Sequence, residues 1–264
     1  MRITKMELAI IDADSIAFAI TAAMDKDTQG DPEQVYTVDD ISASVSNWLA
    51  LIEEETECKD YKMYLTGRSS FRKQIMPEYK ANRDGLYRPP MLSDAKRVMV
   101  EEFGAEFAED GYEADDEVGQ IGLDYWIEGV EDNCVICSID KDLDTIPGWH
   151  YRWPTFNKEG ALYFVTEEEA MHSYWKQVLS GDSGDGVKGL PKIGPKKAEA
   201  FLHGCVDEEG YFDACEQAYH DTLRGTMPES DIIDYFRITA EVLRIGKENR
   251  DHVYSSIGSN SGDC

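Results

Sequence analysis

Acidic side chains stand in four short groups along this sequence: Asp12, then Glu113, Asp115 and Asp116 in EADD, Asp140 and Asp142 in DKD, and Asp182 and Asp185 in GDSGD. Carboxylates are hard oxygen ligands suited to Mg²⁺ or Mn²⁺, and two such ions about 3.5–4 Å apart clamp the attacking and leaving oxygens of a phosphodiester. A site of that kind needs many acids and no histidine. The five histidines (His150, His172, His203, His220, His252) fall outside any ligand-like spacing. Taken singly, each acidic group has a plainer explanation: EADD favours a helix N-terminus through its dipole, Asp182 and Asp185 suit a turn, and Asp12 suits a strand-end cap. The functional reading rests on their recurrence beyond strand-like runs and on the glycine-lysine segment that follows the last pair.

That segment, residues 186–202, reads GVKGLPKIGPKKAEAFL. Its glycines permit a tight turn and Pro195 suits the first position of a helix, so the turn presents backbone N–H groups to an anion. Lys188, Lys192, Lys196 and Lys197, spaced by Gly189, Ile193 and Gly194, then neutralise phosphates of a duplex backbone without reading sequence. A helix hairpin with solvated lysines is the alternative. A second basic stretch, residues 70–83, carries Arg72, Lys80 and Arg83, which suit holding or polarising a phosphate. Phe71 and Tyr79 within it serve either base stacking or core packing.

The elements that must position these groups alternate. Residues 7–12, 61–65 and 134–139 are short apolar runs of strand length, and residues 38–54 and 114–126 have helical period, the first with Asp39 and Asp40 as caps. Such alternation predicts an α/β fold with a parallel sheet whose ligands sit beyond the carboxyl ends of its strands. From about residue 171 the pattern turns to helix and turn, which places a boundary near 178, and the last residues, GSNSGDC, read as a frayed tail. The six cysteines are expected as free thiols, with Cys134 and Cys137 in a buried strand rather than a metal or redox motif.

The net charge of −27 is unevenly spread: residues 101–144 carry sixteen acids and one base, whereas residues 68–97 carry eight bases and three acids. One acidic region flanked by basic stretches suits cations in the first and a polyanion on the others. The longest uncharged stretch, residues 41–52, is too short for a bilayer of roughly 30 Å. The first residues lack a cleavage site, so a cytoplasmic protein away from membranes is expected.

SFRKQIMPEYKANR, EADD, SIDKD and LSGDSGDGVKGLPKIGPKKA together resemble, in order and spacing, the flap-endonuclease-like 5′→3′ exonucleases, which include bacteriophage enzymes and the 5′-nuclease domain of bacterial DNA polymerase I. The resemblance covers residues 7–204. It implies a PIN-like α/β nuclease domain over residues 1–178, with a short helical arch at about 76–103, and a helix-three-turn-helix and C-terminal helical subdomain over 179–264. It implies two Mg²⁺ or Mn²⁺ ions, the first held by Asp12, Glu113, Asp115 and Asp116, the second by Asp140, Asp142, Asp182 and Asp185. Lys80 and Arg83, with Arg72 behind them, match the positions that contact the scissile phosphate, and a monovalent cation at the helix-three-turn-helix belongs to the same expectation. The sequence departs from the family where the second strand usually ends in an acid: it has Thr66-Gly67, so the first metal site is expected to lack a ligand.

The function so implied is metal-dependent hydrolysis near the 5′ end, nick or flap of duplex DNA, or of an RNA–DNA hybrid, by a monomer. Two rivals stand beside it. Asp12-Ala-Asp14-Ser also resembles the Asp-x-Asp pair of haloacid-dehalogenase-like phosphatases, and the absent acid near Thr66 suits a junction-binding protein without activity.

Overall fold

In the computed structural model, residues 6–31, 33–155 and 157–247 are described; the expected C-terminal tail, Cys264 and the first five residues lie outside them. The chain runs β1 (Leu8–Asp12), α1 (Ala13–Gly30), α2 (Val38–Thr56), β2 (Asp60–Leu65), α3 (Phe71–Ile75), α4 (Leu92–Phe103), β3 (Glu106–Phe107), α5 (Ala114–Ile127), β4 (Cys134–Cys137), β5 (Gly148–Arg152) and β6 (Ala161–Val165). It continues through α6 (Glu167–Ser180), a small ribbon of β7 (Gly181–Asp182) and β8 (Val187–Lys188), then α7 (Pro195–Phe201), α8 (Glu208–Leu223) and α9 (Glu229–Leu243).

Six strands form one sheet in the order β3-β2-β1-β4-β5-β6, parallel throughout except that β6 returns antiparallel to β5. The continuous apolar run of β1 is what a central strand buried on both faces requires. Ala9 and Ile11 on one face pack with α1, α2 and α4, and Ile10 on the other packs with Ala114 and Val118 of α5. Cys134 and Cys137 of β4 fall on opposite faces of the sheet, both buried. Burial pushes the Cys134 thiol up to about 12 and Cys137 well above its usual range, so neither is a ready thiolate. The register pairs Asp12 with Tyr64 and Ile11 with Cys137, which brings the carboxyl ends of β1, β2 and β4 to one edge.

The three apolar runs and both helical stretches match β1, β2, β4, α2 and α5. The cap of α2 differs: Thr37 accepts from the Asp40 N–H and Asp40 accepts from the Thr37 N–H in a capping box, so Asp40 sits one turn inside the helix. The β5–β6 hairpin gave no clear signal because its exposed edge strand interleaves large apolar residues with a long connection.

Two expectations about organisation change. Where an arch was expected over about 76–103, α4 buries Ala95, Val98 and Met99 in the main core, preceded by a single turn at Ala81–Arg83 and an exposed loop. The second core also begins before residue 179, because Tyr174, Trp175, Val178 and Leu179 of α6 pack with Tyr219 of α8 and Phe236 of α9. Met76 and Tyr79 join that second core, so the segment after α3 ties the two units together.

In the β7–β8 ribbon the backbone passes itself at a distance that admits no side chain. A Cβ on Gly181, where φ is +73°, would lie 2.2 Å from the Gly189 nitrogen, and one on Gly189 would lie 2.3 Å from the Gly181 nitrogen. Gly189 is therefore required by packing before any contact with DNA. Gly189→Ala is expected to destabilise the fold by about 2 kcal/mol or more in denaturant unfolding; an unchanged midpoint would contradict this crossing.

Candidate active site

Asp12 ends β1 and caps α1 at once, which fixes its carboxylate at the sheet edge. The Ser138 hydroxyl, just beyond β4, donates to Asp12 Oδ2 at 3.0 Å, and the Asp14 N–H donates to Oδ1 at 3.3 Å. The same Ser138 oxygen accepts the Asp140 N–H at 3.0 Å, and Asp140 in turn accepts the Asp142 N–H at 2.9 Å as it caps the turn Lys141–Thr145. Burial pushes the Asp12 carboxyl from 3.8 up to about 7, with the charges of Asp14 and Asp140 adding to the effect.

Glu113 caps α5, where helix dipole and free N–H groups favour anions. Its Oε2 receives the Lys80 ammonium at 2.6 Å and the Tyr79 hydroxyl at 2.9 Å. Tyr79 is also 2.9 Å from Asp185 Oδ2, and the Lys80 ammonium lies 3.7 Å from the same oxygen. Burial works against the charge on Lys80, but Glu113, Asp115 and Asp185 prevail and raise its pKa above the ordinary value. Lys80 holds a left-handed backbone (φ 55°) and its N–H donates to the Asp185 carbonyl at 2.7 Å, so this residue is set by main chain as well as side chain. Arg83, half exposed, forms an ion pair with Asp185 and donates to the Gly184 carbonyl at 3.1 Å.

Arg72 and Asp116 lie directly behind this group, with the Arg72 guanidinium 3.7 Å from the same Glu113 Oε2. Arg72 is 2% exposed, and its guanidinium donates to both Asp116 oxygens at 2.6 and 2.7 Å, to the Val242 carbonyl at 2.8 Å and to the Arg244 carbonyl at 2.9 Å. Asp116 also accepts the Glu113 N–H at 3.0 Å. Arg72 was expected behind Lys80 and Arg83, and Asp116 among the metal ligands; in the structure the two form a buried fork, with Arg72 bound to both Asp116 oxygens and to two main-chain carbonyls. Asp115 lies between these groups. Burial drives its carboxyl well above the usual range, against the pull of Arg72 and with the push of Asp116 and Glu113.

Asp142 and Asp182 face each other across the join between the units. Burial raises Asp142 to about 7, with Asp140 and Asp182 adding to it, whereas Asp182 is held low despite burial because Asp142 and the Gly184 N–H, at 2.6 Å, donate to it. The two carboxyls therefore titrate as a pair rather than independently. Gln177 of α6 donates to Asp142 Oδ1 at 2.6 Å. Lys141, 71% exposed, lies 3.5 Å from Asp142.

The lysine segment sits on the second unit. Lys192 takes a left-handed conformation (φ 64°) in the turn before α7, Pro195 opens that helix, and Lys188, Lys192, Gly194, Lys196 and Lys197 are exposed. Ile193 differs from the rest: it is half-buried against the second core. Sequence reasoning left Tyr79 undecided and missed Ser138 and Gln177. Tyr79 and Ser138 lay inside the motifs SFRKQIMPEYKANR and SIDKD, whereas Gln177 carried no local signal.

Among the described residues, no set of three or more His, Cys, Asp or Glu side chains stands in a geometry ready to hold a metal ion. The donors are nonetheless the right kind. Asp115 Oδ1 is buried without a hydrogen-bond partner, and Lys80, Arg83, Lys141 and Arg72 already hold the surrounding carboxylates with positive charge. A hard cation would satisfy the orphaned oxygen and offset the mutual repulsion.

A family model described as the 5′-3′ exonuclease N-terminal, resolvase-like domain matches residues 7–169. The chain is 33% identical over 141 residues to the exodeoxyribonuclease of Enterobacteria phage T3, which is 52% of this chain and 45% of that protein. It is 29% identical over 161 residues to the flap endonuclease Xni of Vibrio parahaemolyticus, 56% of this chain and 59% of that one. The matches thus span about half the length of these relatives. Among solved structures, the bacteriophage T5 flap endonuclease in a complex with DNA and metal ions superposes with a TM-score of 0.59 at 19% identity, covering 90% of this chain and 86% of that one. That likeness shows the fold: an α/β sheet domain with a helical C-terminal region. Among the described residues no helix is long and apolar enough to cross a membrane.

Two outcomes follow from the geometry. Removing one partner of a buried ion pair costs about 3–5 kcal/mol, so Arg72→Met should lower stability by that order, and Arg72→Met/Asp116→Leu should recover much of it in thermal unfolding. In metal-free buffer, Asp12 and Asp142 titrate near 7 when folded but near 3.8 when unfolded. Their neutral forms therefore favour the fold fully below about pH 4, and that stability is lost as pH rises from there through 7, on the order of 2–4 kcal/mol for Asp12 and less for Asp142, whose effect is opposed by the lowered Asp182. The melting temperature should fall between about pH 4 and 7 without metal and level off above, and added Mg²⁺ should raise it most at about pH 7 and above. A flat pH profile would contradict the crowding of these carboxylates.

Proposed function

We propose that this chain, which belongs to the family of the 5′-3′ exonuclease N-terminal, resolvase-like domain, is a metal-dependent phosphodiesterase that cuts near a 5′ end, nick or flap of duplex DNA and leaves 5′-phosphate products. RNA of an RNA–DNA hybrid is a second substrate of the same site. The observation that carries the reading is the Lys80 ammonium, 2.6 Å from Glu113 and 3.7 Å from Asp185, which joins a carboxylate of the sheet domain to one beside the lysine segment.

Asp12, Glu113 and Asp115 would hold one divalent ion, and Asp140, Asp142, Asp182 and Asp185 a second, Mg²⁺ or Mn²⁺. Ions bound there supply Lewis-acid charge to the attacking and leaving oxygens. Lys80 and Arg83 act on the phosphate itself. Both now rest on carboxylates, and a phosphodiester entering the site would take the exposed Arg83 fork and one proton of the Lys80 ammonium in their place. Tyr79 keeps Glu113 and Asp185 oriented, while Arg72 and Asp116 hold the start of α5 so that Glu113 and Asp115 project from a fixed frame. Lys188, Lys192, Lys196 and Lys197 bind the duplex backbone beyond the cut, which makes affinity fall steeply with salt.

A gel assay on 5′-labelled nicked, flapped and hybrid duplexes, with and without Mg²⁺, tests this. Asp140→Asn should lower cleavage about a thousandfold or more with DNA binding near wild type, and Lys80→Met should lower kcat about a hundredfold. Cleavage that survives either chelation or the Asp140 substitution would overturn the reading; binding without cleavage by the wild type would favour a junction-binding protein.

A further inference from the structure

β2 ends at Leu65, is followed by Thr66-Gly67, and brings no carboxylate of its own to the sheet edge. Another element delivers one there. Asp14, in the first turn of α1, accepts the Thr66 N–H on Oδ2 at 2.9 Å, and its own N–H reaches Asp12 Oδ1 at 3.3 Å. Thr66 Oγ1 meanwhile accepts the N–H of Ala114 at 3.0 Å, the first residue of α5 between Glu113 and Asp115. Asp14 therefore sits beside Asp12 and one residue away from the start of α5, with an oxygen at the end of β2.

The other oxygen carries a cation. Lys96 of α4 places its ammonium 2.6 Å from Asp14 Oδ1 and reaches the Thr66 carbonyl at 3.5 Å. A lysine is a compact point charge on a flexible stem, which is the side chain that leaves a carboxylate with least rearrangement when a stronger cation arrives. Arg72 and Lys80 cling to their acids through more contacts: Arg72 makes a four-bonded buried fork, and Lys80 is fixed by its backbone as well.

We infer that Asp14 is a ligand of the divalent ion held with Asp12, taking the part that the end of β2 leaves open, and that Lys96 occupies its oxygen until the ion binds. The inference rests on the metal site proposed above, and the test separates the two. Mn²⁺ binding to the full chain without DNA is measured by the electron paramagnetic resonance of free ion, or by calorimetry. Asn in place of Asp14 still accepts the Thr66 N–H, so Asp14→Asn should keep the fold, checked by circular dichroism, while weakening Mn²⁺ binding about tenfold or more. Lys96→Met removes a competing charge and should tighten it about fivefold. That second variant moves affinity upward, which no loss of folding would do. Weaker binding in Asp12→Asn with no change in Asp14→Asn and Lys96→Met would overturn the inference and leave the metal site standing. No change in any of the three would overturn both.

Discussion

Gathering carboxylates in one partly buried place costs free energy, because each loses water and each repels the next. The rest of the structure is arranged around that constraint. Asp12 and Asp142 respond by holding their protons to about pH 7. Four others acquire cations from elsewhere in the chain: Asp116 from Arg72, Glu113 from Lys80, Asp185 from Arg83 and Asp14 from Lys96. A net charge of −27 makes such internal cations scarce, so each one reports where negative charge is most concentrated.

Those cations also hold the architecture together. Arg72 belongs to the short α3, yet it grips Asp116 on α5 and the carbonyls of Val242 and Arg244 at the end of α9, 170 and 172 residues away. Tyr79 and Lys80, a few residues on, reach Glu113 in one direction and Asp185 in the other. The segment after β2 is therefore a strut between the sheet domain and the helical unit, and any shift of one unit against the other would pull on the acids. The lysine segment and the carboxylate site share this strut, so they are mechanically linked without a separate device. Within the helical unit, the Gly181–Gly189 crossing sets how closely the ribbon follows α6 and hence where Asp182 and Asp185 lie.

Much of the fold was legible because strands buried on both faces must be continuously apolar and amphipathic helices must repeat every 3.6 residues. β1, β2 and β4, α2 and α5 all carry those signatures, and acids just beyond strand runs mark the functional edge of a parallel sheet. The fourfold grouping of Asp12, EADD, DKD and GDSGD pointed to cation chemistry before any coordinates. Local patterns, however, state which face a side chain takes and not what it meets there.

The chain order alone therefore determined three adjacent strands of the sheet, the edge on which the acids lie and the basic turn that follows them. Tertiary structure alone decided which acids remain available and which are consumed. EADD spells three carboxylates alike, but Asp116 is taken by a guanidinium 44 positions upstream while Asp115 keeps an unsatisfied oxygen. Arg72 reads as one base among eight in its stretch, and only three-dimensional packing turns it inward. Asp14 reads as the second acid of an Asp-x-Asp pair until Thr66 and Lys96, 52 and 82 residues further on, are found against its two oxygens. Charge and hydrogen-bond pairing act through space over a few ångströms, whereas sequence periodicity reports only neighbours within a turn or a pleat; that difference in range is why the acids could be found from the sequence and their partners could not.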